Sequence, residues 1–260
     1  MKLSKNTLWV NIPQHICFLA GLGLIFTGHA SAWWLIATYV FWFIIGFNGF
    51  SIWYHRYFAH RAFKTSKFWE SVWGYLGMLC GRGTPINMIG LHMVEHHPNS
   101  DTVKDPHSPI KGKFYSWVTW TEHHDFAATQ VHPLLFRHIF SNKFVKWISL
   151  NYFKVFWGTF LILLCLQWEL AIIVMMGAGV VQYHLEGFVS TFCHTPGFGV
   201  QDWDTKDNSQ NIRGWFNLLT FGSGLHNNHH YAPKNYHYEL LPGDFDLAKY
   251  IIPIFAIKEK

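Results

Sequence analysis

Apolar residues run through about residues 8–28, LWVNIPQHICFLAGLGLIFTG, without one formal charge, and resume through about 32–53 after the turn HAS. Each run is long enough for a helix to cross the roughly 30 Å hydrocarbon layer of a bilayer. A turn this short makes the two a hairpin. A second pair covers about 147–168 and 170–189 and is broken near LQWEL, where Gln167 and Glu169 sit among apolar neighbours. Asn151 and Lys154 interrupt the third run, either snorkelling to the interface or packing inward. The pattern predicts an all-α integral membrane protein of one domain. Four transmembrane helices in two hairpins would carry a helical cap built from residues 54–146 and 190–260.

Charge orients the set. Of the lysines and arginines, two precede the first run, none lies in either hairpin turn, eleven lie between Arg56 and Lys146, and six lie from Lys206 onward. The positive-inside tendency puts both termini and the whole cap on the cytoplasmic side. The formal net charge of +5 then reflects loops near anionic lipid, and no nucleic-acid partner is expected. Cys17, Cys80, Cys165 and Cys193 lack C-x-x-C spacing and read as ordinary buried thiols, with neither a disulfide framework nor a zinc ribbon.

Histidine changes the picture. HRYFAH supplies His55 and His60, HMVEHH supplies His92, His96 and His97, and GLHNNHHYAP supplies His226, His229 and His230. The four-residue step puts His92 and His96 on one helix face, as it does His226 and His230. His55 and His60, five apart, fall roughly 140° around an ideal α-helix. They either address different metals or sit where a helix ends. All eight lie in segments assigned to one side of the membrane, so a single site could gather them. Eight are too many for one tetrahedral zinc, whereas two ions held by neutral imidazole fit the count, and imidazole suits iron, zinc or copper.

With these boxes the chain resembles the membrane-bound fatty acyl desaturases, particularly the Δ9 acyl-CoA or acyl-lipid branch. The resemblance rests on HRYFAHRAFK, on HMVEHHPNSDTVKDPHSP and on RGWFNLLTFGSGLHNNHHYAP, within about residues 45–235. It implies a four-span fold with a cytosolic cap, two non-haem irons, and O2-dependent introduction of a cis double bond near carbon nine of a long saturated acyl chain. It also implies a ninth ligand near the end of the fourth span, where STFCH offers His194. Three features depart from the branch. Three residues rather than two separate His92 from His96, Ser190 stands where an asparagine is common, and GSGL precedes the third box where an acidic residue and a tryptophan are usual.

The expected ligands are His55, His60, His92, His96, His97, His194, His226, His229 and His230. Ligating imidazoles usually donate their other N–H to a carboxylate or carbonyl. Glu95, Asp101 and Asp105 are candidates for that role or else solvated loop acids, and Ser190 is a further candidate. His107 is read as a buttress of the cap, and Asn227 and Asn228 as orienting rings or capping a helix. His123 and His124 form a pair without a third histidine at ligand spacing. His184 and Glu186 are either intramembrane functional groups or cap contacts. Arg56, Arg61, Lys64 and Lys67 would meet a phosphate-bearing carrier or the anionic membrane surface. The aromatic residues, 19% of the chain, would line an apolar tunnel or form core and interfacial belt.

No haem-binding H-P-G-G, flavin-type G-x-G-x-x-G or cysteine cluster is present, so electrons are expected from a separate ferredoxin or cytochrome b5 type donor. The acyl carrier, whether CoA, acyl carrier protein or membrane lipid, is left open. A hydroxylase or related oxygenase on the same di-iron scaffold is the alternative enzyme. A metal transporter would instead place ionisable residues along a path through the bilayer.

Overall fold

In the computed structural model, which describes residues 3–124 and 132–257, the first two apolar runs form α1 (Thr7–Phe26) and α2 (Trp33–Ala59). Both expose large apolar side chains, Leu8, Ile12, Ile16 and Leu19 on α1 and Leu35, Ile36 and Val40 on α2. A surface of this kind suits hydrocarbon and not water. α2 continues past the expected end of its span at residue 53, so His55 stands on the same rod as the membrane-crossing segment. From Phe43 onward its backbone bonds close on the fifth residue rather than the fourth, a π-helical run of unusual length. Widening lets α2 press against α3 (Lys67–Met78) through paired glycines. A Cβ on Gly49 would lie 2.7 Å from Gly77 Cα.

Beyond α3, Thr84 caps α4 (Pro85–Ile89) through a capping box with Asn87, and the chain runs on into a second π-helical stretch, Gly90–His96. α5 (Lys143–Leu150) and α6 (Tyr152–Leu166) meet at 87°. The expected third span, 147–168, straddles this bend. Asn151 donates its side-chain amide back to Trp147 O, closing α5, and the apolar run continues from Tyr152 in a new direction. Lys143 and Lys146, with Trp147 and Leu150 exposed, give α5 the two-sided character of a helix lying along an interface. α7 (Leu170–Phe192) is the last long apolar helix and packs against α1 and α2. Among the described residues three helices are thus long and apolar enough to cross a membrane, or four with the bent pair taken as one span.

The remaining segment carries α8 (Trp215–Leu219), α9 (His226–Tyr231) and α10 (Ala248–Phe255). Among the described residues no β-strand forms; backbone bridges link Val200 with Asn211 and Asn211 with Leu225. Two contacts tie the ends of the chain to the cap. Ser4 N–H donates to Glu122 O (2.7 Å), and both Ser4 Oγ and Thr7 Oγ1 donate to Thr121 O. Arg56 on α2 donates to Asp246 (2.9 Å), with both side chains essentially inaccessible. Arg56 is therefore not available to a carrier or a lipid surface. Asp246 also accepts from the Tyr238 and Ala248 amides, so one buried carboxylate joins the C-terminal segment to α2. Cys80 and Cys193 are buried as expected, while Cys165 is exposed on the outer face of α6.

Candidate metal centre

The elements bring the nine histidines together at the cap end of α2 and α7. His55 lies on the π-helical part of α2 and His60 at its end, where its N–H still bonds to His55 O (3.1 Å). The Gly90–His96 stretch repeats the device, His97 N–H reaching His92 O (3.0 Å). A turn that closes on the fifth residue stacks residues five apart, so His55 and His60 share one group instead of facing 140° apart. On α9 the steps of three and four put His226, His229 and His230 on one face.

Two clusters result. Ring nitrogens of His55, His60, His92 and His229 lie within 4.8 Å of one another, and so do those of His96, His194, His226 and His230. His97 stands between the clusters, its Nε2 3.0 Å from His92 Nε2 and 3.2 Å from His60 Nε2. Within the first cluster His55 and His92 Nε2 are 2.7 Å apart, and in the second His194 and His226 Nε2 are 3.0 Å apart. Lone pairs this close repel one another unless a proton or a cation lies between them. Burial, reinforced by the other imidazoles, holds His60, His92, His96, His226, His229 and His230 well below the ordinary histidine range. The same desolvation pushes His97 down to about 4, against the pull of Asp207 and Asp105. Neutral imidazole is the metal-binding form.

His229 tests whether a metal fits. It is fully buried, and neither ring nitrogen has a hydrogen-bond partner among the described residues. A buried imidazole left so costs roughly 1–3 kcal/mol for each unmet group, which a coordinated cation would remove. The all-imidazole donor set suits iron, zinc or copper.

Carboxylates fix several of the rings. His96 Nδ1–H donates to Asp105 (2.9 Å), His194 Nδ1–H to Asp101 (3.0 Å) and His230 Nδ1–H to Asp207 (2.6 Å). Each bond leaves Nε2 as the lone-pair nitrogen facing the cluster. Burial works against the Asp207 charge, but His230 and the Ser209 hydroxyl and amide hold its carboxyl far below the usual range. His55 Nδ1 instead meets the Tyr238 hydroxyl (3.0 Å). Asp207 and Tyr238 carried no signal in the sequence, because both arrive from loops distant from their histidines. Glu95 and Ser190 do not take the role expected of them. Glu95 faces His124 (3.1 Å), and Ser190 lines a cavity without bonding to a clustered histidine. His123's side chain lies outside the described residues.

Other candidates resolve into supports. His107 lies beside His96 with tilted rings, centroids 4.4 Å apart, its carbonyl accepts from Ser116, and with His96 and Asp105 it forms a further group close enough to hold an ion. Among the described residues neither Asn227 nor Asn228 hydrogen-bonds to a histidine ring. Asn227 accepts from Trp203 N–H, and Asn228 donates to Asp244 and Tyr238 O, clamping α9 between the flanking loops. The GSGL run-in turns at Gly222, φ +110°, where a Cβ would meet Asp246 Oδ1 at 2.5 Å. Glu186 pairs with Arg82 (2.8 Å) and His184 with His15 (3.2 Å), both contacts joining α7 to neighbouring elements. Arg61 donates to Leu135 O and Lys67 pairs with Glu70.

An apolar cavity of about 110 Å³ leads away from the clusters. His55, His92, His96 and His226 line one end, Phe47, Phe50, Leu185 and Val189 the sides, and Trp42 the other. Trp42 Nε1–H donates to Gln182 Oε1 (3.1 Å), tying α2 to α7 there. At about 1.5 Å per helical residue, Trp42 is roughly 15–20 Å along α2 from His55.

The family described as fatty acid desaturase matches residues 7–243. The Delta-9 desaturase-like 2 protein of Arabidopsis thaliana is 31% identical over 209 residues, covering 78% of this chain and 67% of that protein. Acyl-CoA 5-desaturase AL21 of Anemone leveillei is 31% identical over 252 residues, 87% and 73% of the two chains. Delta-9 acyl-lipid desaturase 2 of Arabidopsis thaliana is 29% identical over 238 residues, 87% and 72%.

Proposed function

The chain belongs to the fatty acid desaturase family, and from that premise we propose that it introduces a cis double bond, near carbon nine, into a long saturated acyl chain lying in the cavity beside the histidine clusters. It is a membrane oxidoreductase acting on a fatty acyl substrate. The reading is carried by one observation, two adjacent groups of four imidazoles at the end of an apolar cavity. In this reading the nine histidines hold two irons, which would activate O2 with electrons delivered from outside, a task beyond any side chain.

The balance of the reaction defines what the protein must do. O2 becomes two waters, taking two hydrogens with their electrons from adjacent methylenes, two electrons delivered one at a time by a donor of ferredoxin or cytochrome b5 type, and two protons from water. Asp101, Asp105 and Asp207 keep Nε2 of their histidines free of protons. Phe47, Phe50, Leu185 and Val189 exclude water from the chain and hold its methylenes against the centre. The HRAFK and DPHSP segments favour desaturation over hydroxylation, and relatives named Delta-9 support carbon nine as its position.

The same reading arranges the helices as two hairpins with residues 54–146 and 190–260 as a cytoplasmic cap. The bonds of Ser4 and Thr7 to Thr121 and Glu122 support a shared side for the N-terminus and the cap, and the lysine and arginine distribution supports its being cytoplasmic.

The test is expression of the full chain in a desaturase-deficient host, with the double bonds of its fatty acids located by gas chromatography and mass spectrometry. A new cis-monoene at carbon nine is expected. A hydroxylated acid would move the assignment to an oxygenase, and a double bond elsewhere would keep the reaction but change its position.

A further inference from the structure

The two histidine clusters differ in what stands behind them. Three of the four rings in the His96, His194, His226 and His230 cluster donate Nδ1–H to a carboxylate, at 2.6–3.0 Å. Among the described residues no carboxylate hydrogen-bonds to His55, His60, His92 or His229. His55 has a neutral phenol, Tyr238, and both nitrogens of His229 are unpartnered. A positive charge stands behind Tyr238, the wrong sign for holding a cation. The Arg56 guanidinium lies 3.9 Å from the Tyr238 ring centroid, and its countercharge, Asp246, is already spent on it.

The carboxylates are themselves anchored. Asp101 accepts from the Asn208 amide (2.7 Å), Asp207 from the Ser209 amide (3.0 Å), and Asp105 from the His107 amide (3.2 Å). They are built into the cap and need no rearrangement to serve a bound ion. A carboxylate behind a ligating imidazole raises its basicity, and its loss typically costs 10–100-fold in metal affinity. Three of them also supply negative charge to offset a divalent ion in a buried site, where uncompensated charge is costly.

Resting on the di-metal reading above, we propose that the two metal positions are inequivalent. The ion at His96, His194, His226 and His230 is the tightly held one, and the ion at His55, His60, His92 and His229 is the exchangeable one. Asp101, Asp105 and Asp207 are the positioning residues that create the difference.

The experiment uses the purified full chain loaded with Co(II), challenged with rising chelator, with cobalt per chain counted by mass spectrometry and its absorption followed. Release in two phases is expected, with midpoints at least tenfold apart. His226→Ala should leave only the easily released ion, and His229→Ala only the resistant one. Asp101→Asn, Asp105→Asn and Asp207→Asn should each move the resistant midpoint down by 10–100-fold and spare the labile phase. Tyr238→Phe should do the opposite, which keeps the test valid if an Asp→Asn variant fails to fold. A single release phase, or Asp→Asn changes confined to the labile phase, would overturn the inequivalence while leaving the di-metal reading intact. Wild-type protein that binds no cobalt would overturn both.

Discussion

At the scale of the residue, His97 illustrates how the fold keeps its imidazoles ready for a cation. Burial holds its pKa at about 4, against an ordinary value of 6.5. Between those values the unfolded chain takes up a proton that the folded chain refuses, so the folded state loses stability as pH falls. For metal-free protein, thermal unfolding in detergent should show the full contribution above about pH 6.5. It should decline toward pH 4 by at most about 3 kcal/mol, at 1.36 kcal/mol per pH unit. His97→Gln should make that slope shallower by this share, the other buried histidines of the centre keeping theirs; an unchanged slope would place this titration elsewhere. The histidine boxes were legible because box spacing is local. Asp207 and Tyr238 were not, since a carboxylate or phenol that reaches its ring across a loop leaves no periodic trace. Glu95, next to His96 in sequence, faces His124.

At the scale of the element, the π-helical part of α2 decides the shape of the site. Ideal α-helical geometry separates His55 from His60, and only bonds closing on the fifth residue bring them into one cluster. Hydrophobic periodicity could foretell that a helix forms there and could not foretell its winding. The bend at Asn151 was hidden in the same way, because apolar composition continues through it and only the cap geometry marks the turn. The close seam of α2 and α3 at Gly49 and Gly77 positions the histidine-bearing end of α2. Gly49→Val places side-chain atoms where Gly77 backbone already stands. It should lower stability by about 1–3 kcal/mol, the usual cost of overpacking, seen as a reduced unfolding temperature in detergent. Unaltered stability would mean that the seam is looser than drawn.

At the scale of the whole molecule, the long apolar helices, the cap and the cavity work as one device, a dry channel ending at a cluster of imidazoles. Hydropathy made the long apolar helices legible, whereas the cavity arises from which side chains α2 and α7 turn toward each other. In the proposed reading Trp42, held by Gln182, limits how far an acyl chain can reach into the cavity. Trp42→Ala should shift the product profile toward longer acyl chains while leaving the metal content unchanged. A profile with the wild-type length distribution would show that the chain does not reach Trp42.

The claim on which the rest depends is that nine converged histidines hold two irons. Its most direct test is the iron content of the purified full chain, measured by mass spectrometry beside His229→Ala and His226→Ala. Two irons per wild-type chain and about one in each variant are expected. Wild-type protein that retains no iron when produced with ample iron, or variants that keep the wild-type count, would contradict the account.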